Sequence, residues 1–184
     1  GGVVVSQPGD PERIGNYRVL RRLGQGGMGV VYLAETPGHN RVAVKCVHSQ
    51  LALDADFRRR FAREVAATRL VAGLCTAHVV DADPDAAVPY LVTEFVDGPT
   101  LQDRIEQQGP MSPDDVRFLA AGLAEGLAAI HAVGVTHRDL KPGNVILSAS
   151  GPKILDFGIA AALGVSSLTQ SGTLLGTPAW LSPE

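Results

Sequence analysis

An α+β fold in two lobes, β-rich first and helical second, is what the sequence predicts. Three observations carry this. From Tyr17 to Val47 three short β-rich segments alternate with turns. From Ser112 to about Val133 apolar residues recur at helical spacing. Between these stretches Asp97-Gly98-Pro99 breaks the pattern, which divides a strand-rich part, 16–96, from a helical part, 97–184.

Each element has a local cause. Residues 1–15 carry Gly1, Gly2, Pro8, Gly9 and Pro11 and read as a flexible leader. A start at Gly1 instead of Met reads as a processed or excised end. Strands are expected over Tyr17–Leu23, Val30–Ala34 and Arg41–Val47, with Gly38-His39-Asn40 as the turn before the last. Asp54–Leu70 reads as a helix, with Phe57, Phe61, Val65 and Thr68 on one face. Val79–Asp83 and Tyr90–Phe95 are further strands. The helix after Ser112 has a serine cap, Pro113 in its first turn and Asp114 and Asp115 against its dipole. Val116, Leu119, Ala120, Leu123, Leu127 and Ile130 form its apolar stripe, and Gly134 its stop. Short strands follow around Val145–Leu147 and Lys153–Leu155.

Composition narrows the function. With 184 residues, 45% of them hydrophobic, the chain can bury a core. A net charge of −3 gives no electrostatic footprint for nucleic acid or an anionic membrane. Cys46 and Cys75 form neither a disulfide framework nor a metal-ligand pattern, which fits a reducing, cytoplasmic setting. No apolar run is long enough to span a bilayer. The basic residues are 13 Arg and three Lys, and two of those Lys, Lys45 and Lys141, lie in segments that suit phosphate handling.

Gly24, Gly26 and Gly29 lie between two expected strands, where glycine lets the backbone close over a phosphate chain. A dinucleotide-binding loop would open a helix directly afterwards, whereas Val30–Ala34 reads as a strand. Strand alternation puts Ala43 and Lys45 on one face and Val42, Val44 and Cys46 on the other. A buried ammonium needs a counter-charge, and Glu64 on the following helix is the candidate. In His137-Arg138-Asp139-Leu140-Lys141-Pro142-Gly143-Asn144, Asp139 suits acceptance of a hydroxyl proton and Lys141 a phosphoryl oxygen. Asn144 and the carboxylate of Asp156-Phe157-Gly158 are oxygen ligands of the kind Mg²⁺ takes.

With these segments in this order, the chain resembles a eukaryotic-type protein kinase catalytic domain from about Tyr17 to Glu184. Lys141 and Pro142 after Asp139 resemble the Ser/Thr branch. Leu91–Gly98, with the Arg-rich stretch before Glu64, is similar to bacterial receptor-type Ser/Thr kinases. The resemblance implies a two-lobed protein-kinase fold whose helical lobe is truncated after the activation segment. It implies transfer of the γ-phosphate of ATP to Ser or Thr hydroxyls of proteins, with Mg²⁺, including autophosphorylation in a homodimer. Gly24, Gly26 and Gly29 would then cover the phosphates, and Lys45, paired with Glu64, would hold the α- and β-phosphates. Leu23, Val31, Ala43 and Ile146 would enclose the adenine, Thr93 would stand as gatekeeper, and backbone groups of Glu94 and Val96 would meet the adenine edge. Asp139 and Lys141 would act on the hydroxyl and the γ-phosphoryl, with Asn144 and Asp156 on the metal. Arg138 would capture a phosphate on Thr169, Ser171 or Thr173, and Thr177 would belong to the peptide site. A membrane tether downstream of Glu184 is common in the resembling family. The alternative is a pseudokinase or regulatory module that binds nucleotide without transfer; its usual mark is loss of the residues found here as Lys45, Asp139 or Asp156.

Overall fold

A computed structural model describes residues 9–26 and 29–156. The expected phosphate acceptors Thr169, Ser171 and Thr173, the segment with Thr177, and Phe157 and Gly158 lie outside the described residues. The chain falls into two compact units, Gly1–Ala62 with His78–Phe95 and Arg63–Ala77 with Val96–Glu184.

The first unit is built on a six-stranded antiparallel sheet in the order β1-β2-β3-β4-β6-β5. Its strands are β1 (Arg13–Ile14), β2 (Tyr17–Gly26), β3 (Gly29–Glu35), β4 (Arg41–Val47), β5 (Val79–Asp83) and β6 (Tyr90–Glu94). β1 to β4 pair in chain order because their links are short, whereas β5, reached after the helical stretch 49–68, pairs outside β6. The β3–β4 turn closes with the Thr36 N–H on the Asn40 carbonyl, and His39 takes a φ of 62°. Tyr32, Ala34, Val42, Val44, Cys46, Tyr90 and Val92 are buried together on one sheet face, joined by Ile14 and Tyr17. Val42, Val44 and Cys46 are the face of β4 that alternation assigns to the core, while Ala43 and Lys45 are half-buried on the other.

Two expectations need correcting here. The leader expected over 1–15 is tied into the sheet from Asp10 onward. Arg13 and Ile14 pair with Arg18 and Tyr17, and the Val19 N–H donates to the Glu12 carbonyl. The second strand does not stop at Leu23 but carries Gly24, Gln25 and Gly26 in register with β3.

A short helix that sequence periodicity does not reveal, α1 (Ser49–Ala52), precedes α2 (Ala55–Thr68). Asp54, expected as the first helical residue, is instead its cap, accepting the N–H groups of Asp56 and Phe57 at 2.8 and 3.1 Å. Phe57, Phe61, Val65 and Thr68 are all buried, the first two stacked at 5.9 Å. α2 begins in the first unit and ends in the second.

The second unit holds α3 (Leu101–Gln108), α4 (Pro113–Ala132) and the hairpin of β7 (Val145–Ser148) and β8 (Gly151–Ile154). Thr100 and Asp103 form a reciprocal capping box on α3. Ser112 caps α4 through the Asp115 N–H, and Gly134, at φ 73°, follows its end. Its expected apolar stripe is buried only near its C-terminal end: Ile130 is fully buried, Leu119, Leu123 and Leu127 are half-buried, and Val116 and Ala120 are exposed. The closest approach to β8 is made by glycines. A Cβ at Gly122 would overlap the Pro152 ring, and one at Gly126 would lie 2.8 Å from Ile154 Cδ1 and 3.0 Å from the Cys75 carbonyl oxygen.

These contacts reverse the usual sign of a helical Gly→Ala change. Alanine normally gains about 1 kcal/mol over glycine inside a helix, whereas overpacking a tight core costs about 1–3 kcal/mol. Gly122→Ala and Gly126→Ala should each lower the thermal unfolding midpoint, Gly122→Ala more, because a proline ring cannot move aside. A raised midpoint for Gly122→Ala would contradict the packing described.

Candidate active site

In the second unit the decisive segment is the loop between α4 and β7. His137 is buried at 2% exposure, and its Nε2 lies 2.8 Å from the Leu155 carbonyl. Its Nδ1 accepts the Asp139 N–H at 3.2 Å. The proton therefore sits on Nε2, and burial pushes the imidazole below its ordinary pKa, so the ring is a neutral bridge. At the other end of the loop, Pro142–Asn144 makes a 3-10 turn closed by the Asn144 N–H on the Lys141 carbonyl. The Leu155 N–H then donates to the Asn144 carbonyl at 2.8 Å. Both ends of loop 137–144 are thus fastened to the residue just before Asp156.

Inside the loop, the half-exposed carboxylate of Asp139 accepts Lys141 Nζ at 2.8 Å and Asn144 Nδ2 at 3.2 Å. Asn144 Nδ2 also donates to the Asp139 carbonyl at 2.8 Å. With its nitrogen turned to Asp139, Asn144 is left with its amide oxygen as the end able to meet a cation. Arg138 and Asp156 both take left-handed conformations, at φ 63° and 55°. Each such non-glycine residue costs on the order of 1–3 kcal/mol, and strain of this kind clusters at functional sites. Asn144 and Asp156 supply two oxygens of the type Mg²⁺ prefers, and magnesium takes its remaining ligands from phosphate and water. The donor set fits that ion.

Glu64, on α2, is half-buried. Burial pushes its carboxyl above the usual range, and the Arg138 and Arg63 guanidinium groups act in the opposite direction. Ile146, on β7, forms a bridge with Thr100. The Leu147 N–H donates to the Pro99 carbonyl, and a Cβ at Gly98, φ 143°, would overlap the Leu147 carbonyl oxygen. This close seam places the chain that follows the buried Val96 alongside Ile146.

In the first unit Gly24, Val31, Ala43, Lys45 and Thr93 share the sheet face opposite the core. Gly24 pairs with Val31, Val31 with Lys45, and Ala43 with Thr93, which sets them side by side across β2, β3, β4 and β6. Leu23 falls in a register shift between Arg22 and Gly24 and is 37% exposed. Glu94 pairs with Val42, and its N–H is committed to the His78 carbonyl. The three glycines separate. A Cβ at Gly29 would overlap the Cys46 carbonyl oxygen, so strand packing requires that glycine. Among the described residues nothing lies within 4 Å of a Cβ at Gly24 or Gly26, and neither is in the left-handed region. The bridging role of His137 and the tether from His48 Nε2 to the Gly26 carbonyl, 2.8 Å, are not announced by sequence spacing.

With this geometry in view, the comparisons with known proteins are specific. Residues 17–184 match the family model described as protein kinase domain. Over 178 residues the chain is 53% identical to a probable serine/threonine-protein kinase, PkwA, of Thermomonospora curvata, covering 97% of this chain and 24% of that protein. It is also 53% identical to the serine/threonine-protein kinase AfsK of Streptomyces coelicolor, covering 95% of this chain and 22% of that protein. The chain therefore spans less than a quarter of these relatives' lengths. Among solved structures, the Mycobacterium tuberculosis PknI kinase domain aligns with a TM-score of 0.69 at 31% identity, over 79% of this chain and 59% of that one. Rad53 1-466 in complex with AMP-PNP aligns with a TM-score of 0.69 at 26% identity, over 78% of this chain and 38% of that one.

The neutral His137 bridge makes stability depend on pH. Below its ordinary value of about 6.5 the unfolded chain takes up a proton that the folded imidazole resists. Its contribution is whole above about pH 6.5 and is lost as pH falls through the depressed folded value. The difference in unfolding midpoint between wild type and His137→Asn should narrow from about pH 7.5 to 5. A difference independent of pH would contradict the assigned protonation state. The chain belongs to the protein kinase family and is similar to bacterial serine/threonine-protein kinases.

Proposed function

We propose that this chain carries the catalytic machinery of an ATP- and Mg²⁺-dependent protein serine/threonine kinase. The observation that carries the reading is the arrangement around Asp139, held by Lys141 and Asn144 in a loop fastened beside Asp156. A carboxylate aimed by two donors is suited to orient an acceptor hydroxyl and take its proton. Lys141, already within reach of Asp139, is suited to steady the transferring phosphoryl group. Asn144 and Asp156 would hold Mg²⁺, which supplies charge neutralisation for the phosphates when bound. Lys45 would hold the α- and β-phosphates with Glu64 as its counter-charge, and the backbone at Gly24 and Gly26 would cover them.

The two open glycines support the nucleotide reading. Glycine within a strand costs about 0.5–1 kcal/mol relative to alanine, and among the described residues neither packing nor backbone conformation requires it at Gly24 or Gly26. Close approach of a ligand gives the reason. Val31, Ala43, Thr93 and Leu23 would flank the base together with Ile146; the Glu94 carbonyl and the Val96 N–H would meet its edge. AMP-PNP, bound by the structural relative Rad53, is a nucleotide of the class expected. Protein substrates follow from the family, and phosphorylation of one copy by another at Thr169, Ser171 or Thr173 belongs to the same reading. No helix among the described residues is long and apolar enough to cross a membrane, so a tether would come from elsewhere. Lys45, Asp139 and Asp156 are all present, and no observation favours a module that binds without transfer.

In the full-length protein, Asp139→Asn should lower kcat by about 100-fold or more while the Kd for nucleotide stays within about threefold of wild type. Labelled phosphate transfer to a generic protein acceptor gives the first quantity and a nucleotide titration the second. Equal losses in both would place Asp139 on the metal instead. Lys45→Arg should also abolish most transfer, since a planar guanidinium cannot occupy the position of a compact ammonium.

A further inference from the structure

Asp10 precedes the region that matches the family model, residues 17–184, and no motif uses it. Its side chain is nevertheless only 1% exposed. A buried carboxylate is costly unless charge and hydrogen bonds compensate it. Asp10 Oδ1 accepts Arg22 Nε at 3.1 Å, the Tyr32 hydroxyl at 3.2 Å, and Arg22 Nη2 as well. Arg22 and Tyr32 are partners across β2 and β3, with the guanidinium 6.0 Å from the ring centroid. The remaining nitrogen, Nη1, donates to Gln25 Oε1 at 2.9 Å. One guanidinium thus joins the segment before β1 to the residue between Gly24 and Gly26.

The position of this joint gives it a consequence. Arg22 pairs with Tyr32 and Gly24 with Val31, so Leu23 is the extra residue of a β-bulge. In a strand, a slip of one residue turns every following side chain to the other face. Arg22 is the last paired residue before the bulge, and its fork is held on both sides of it, by Asp10 and by Gln25. We propose that Asp10, acting through Arg22, is a positioning residue for the nucleotide hairpin. It fixes the bulge at Leu23 and so sets where Gly24 and Gly26 meet the phosphates of a nucleoside triphosphate. The inference rests on the kinase reading above and adds a residue from outside the family-matched region to its nucleotide site.

The test compares full-length wild type, Asp10→Asn, Arg22→Met and the double variant, measuring AMP-PNP affinity, kcat and KM for ATP, and the unfolding midpoint. Asp10→Asn keeps the volume and an acceptor for Tyr32; Arg22→Lys, which keeps the charge and loses the fork, is read in the same way. Each single variant should raise the Kd for AMP-PNP about five- to ten-fold, and the double no more than the larger single, because both cut one link. kcat at saturating ATP should stay within about twofold, the signature of lost nucleotide positioning. Affinities within about twofold of wild type beside a lowered midpoint would reduce the pair to a structural one and overturn the inference. Additive losses would also overturn it. Wild-type protein that bound no AMP-PNP would overturn the kinase reading itself, and the inference with it.

Discussion

The backbone of Leu155 is the constraint on which the candidate site depends. Its carbonyl accepts from His137 and its N–H donates to Asn144, both at 2.8 Å, so one residue fastens the two ends of the 137–144 loop. Asp156 follows directly and inherits that register. The loop stores strain at Arg138 and Asp156, each on the order of 1–3 kcal/mol. A single hydrogen bond nets about 1 kcal/mol. No one bond offsets such strain; the set around His137, Asp139, Lys141 and Asn144 does so together. The same set aims Asp139, so the strain and the aiming have one cause.

The strand-rich unit reaches order by a different route. Its core face is a continuous apolar cluster through β2, β3, β4 and β6, and this leaves the other face to carry Val31, Ala43, Lys45 and Thr93. The glycine motif serves both faces of the problem. Gly29 is required where β3 lies against the β4 backbone, while no contact among the described residues requires Gly24 or Gly26. A motif that reads as one feature in sequence therefore divides in structure: packing accounts for Gly29, and the proposed nucleotide for Gly24 and Gly26.

Much of this was legible in the sequence where a strong local pattern coincides with its tertiary environment. β4 runs as alternation and turn chemistry predict, β5 has the expected bounds, and α4 lies between its serine cap and its terminal glycine. The sequence motif also groups Asp139, Lys141 and Asn144, which the structure joins by hydrogen bonds. What was not legible depends on partners distant in sequence. The Gly- and Pro-rich composition around Asp10 signals a loose leader, yet Arg22 and Tyr32 draw it into the sheet. Asp54 looks like the first residue of α2 but serves as its cap, because its side chain takes the orphan N–H groups. The apolar stripe of α4 suggests even burial, whereas Gly122 and Gly126, which look like weak points, mark where β8 packs most closely. His137 reads only as part of a motif, and its structural bridge requires Leu155, which no spacing rule supplies.

The central proposal is that the stitched loop lets Asn144 and Asp156 serve as one metal–phosphate site beside Asp139. Its most direct test is the binding of Mn²⁺ with AMP-PNP to the full-length protein, followed by the Mn²⁺ electron paramagnetic resonance signal. The account predicts that Asp156→Asn and Asn144→Leu each weaken Mn²⁺ binding in the presence of nucleotide by about tenfold or more, since each removes one of two protein ligands. It also predicts that nucleotide binding without metal changes little. Mn²⁺ binding equal to wild type in either variant would contradict it.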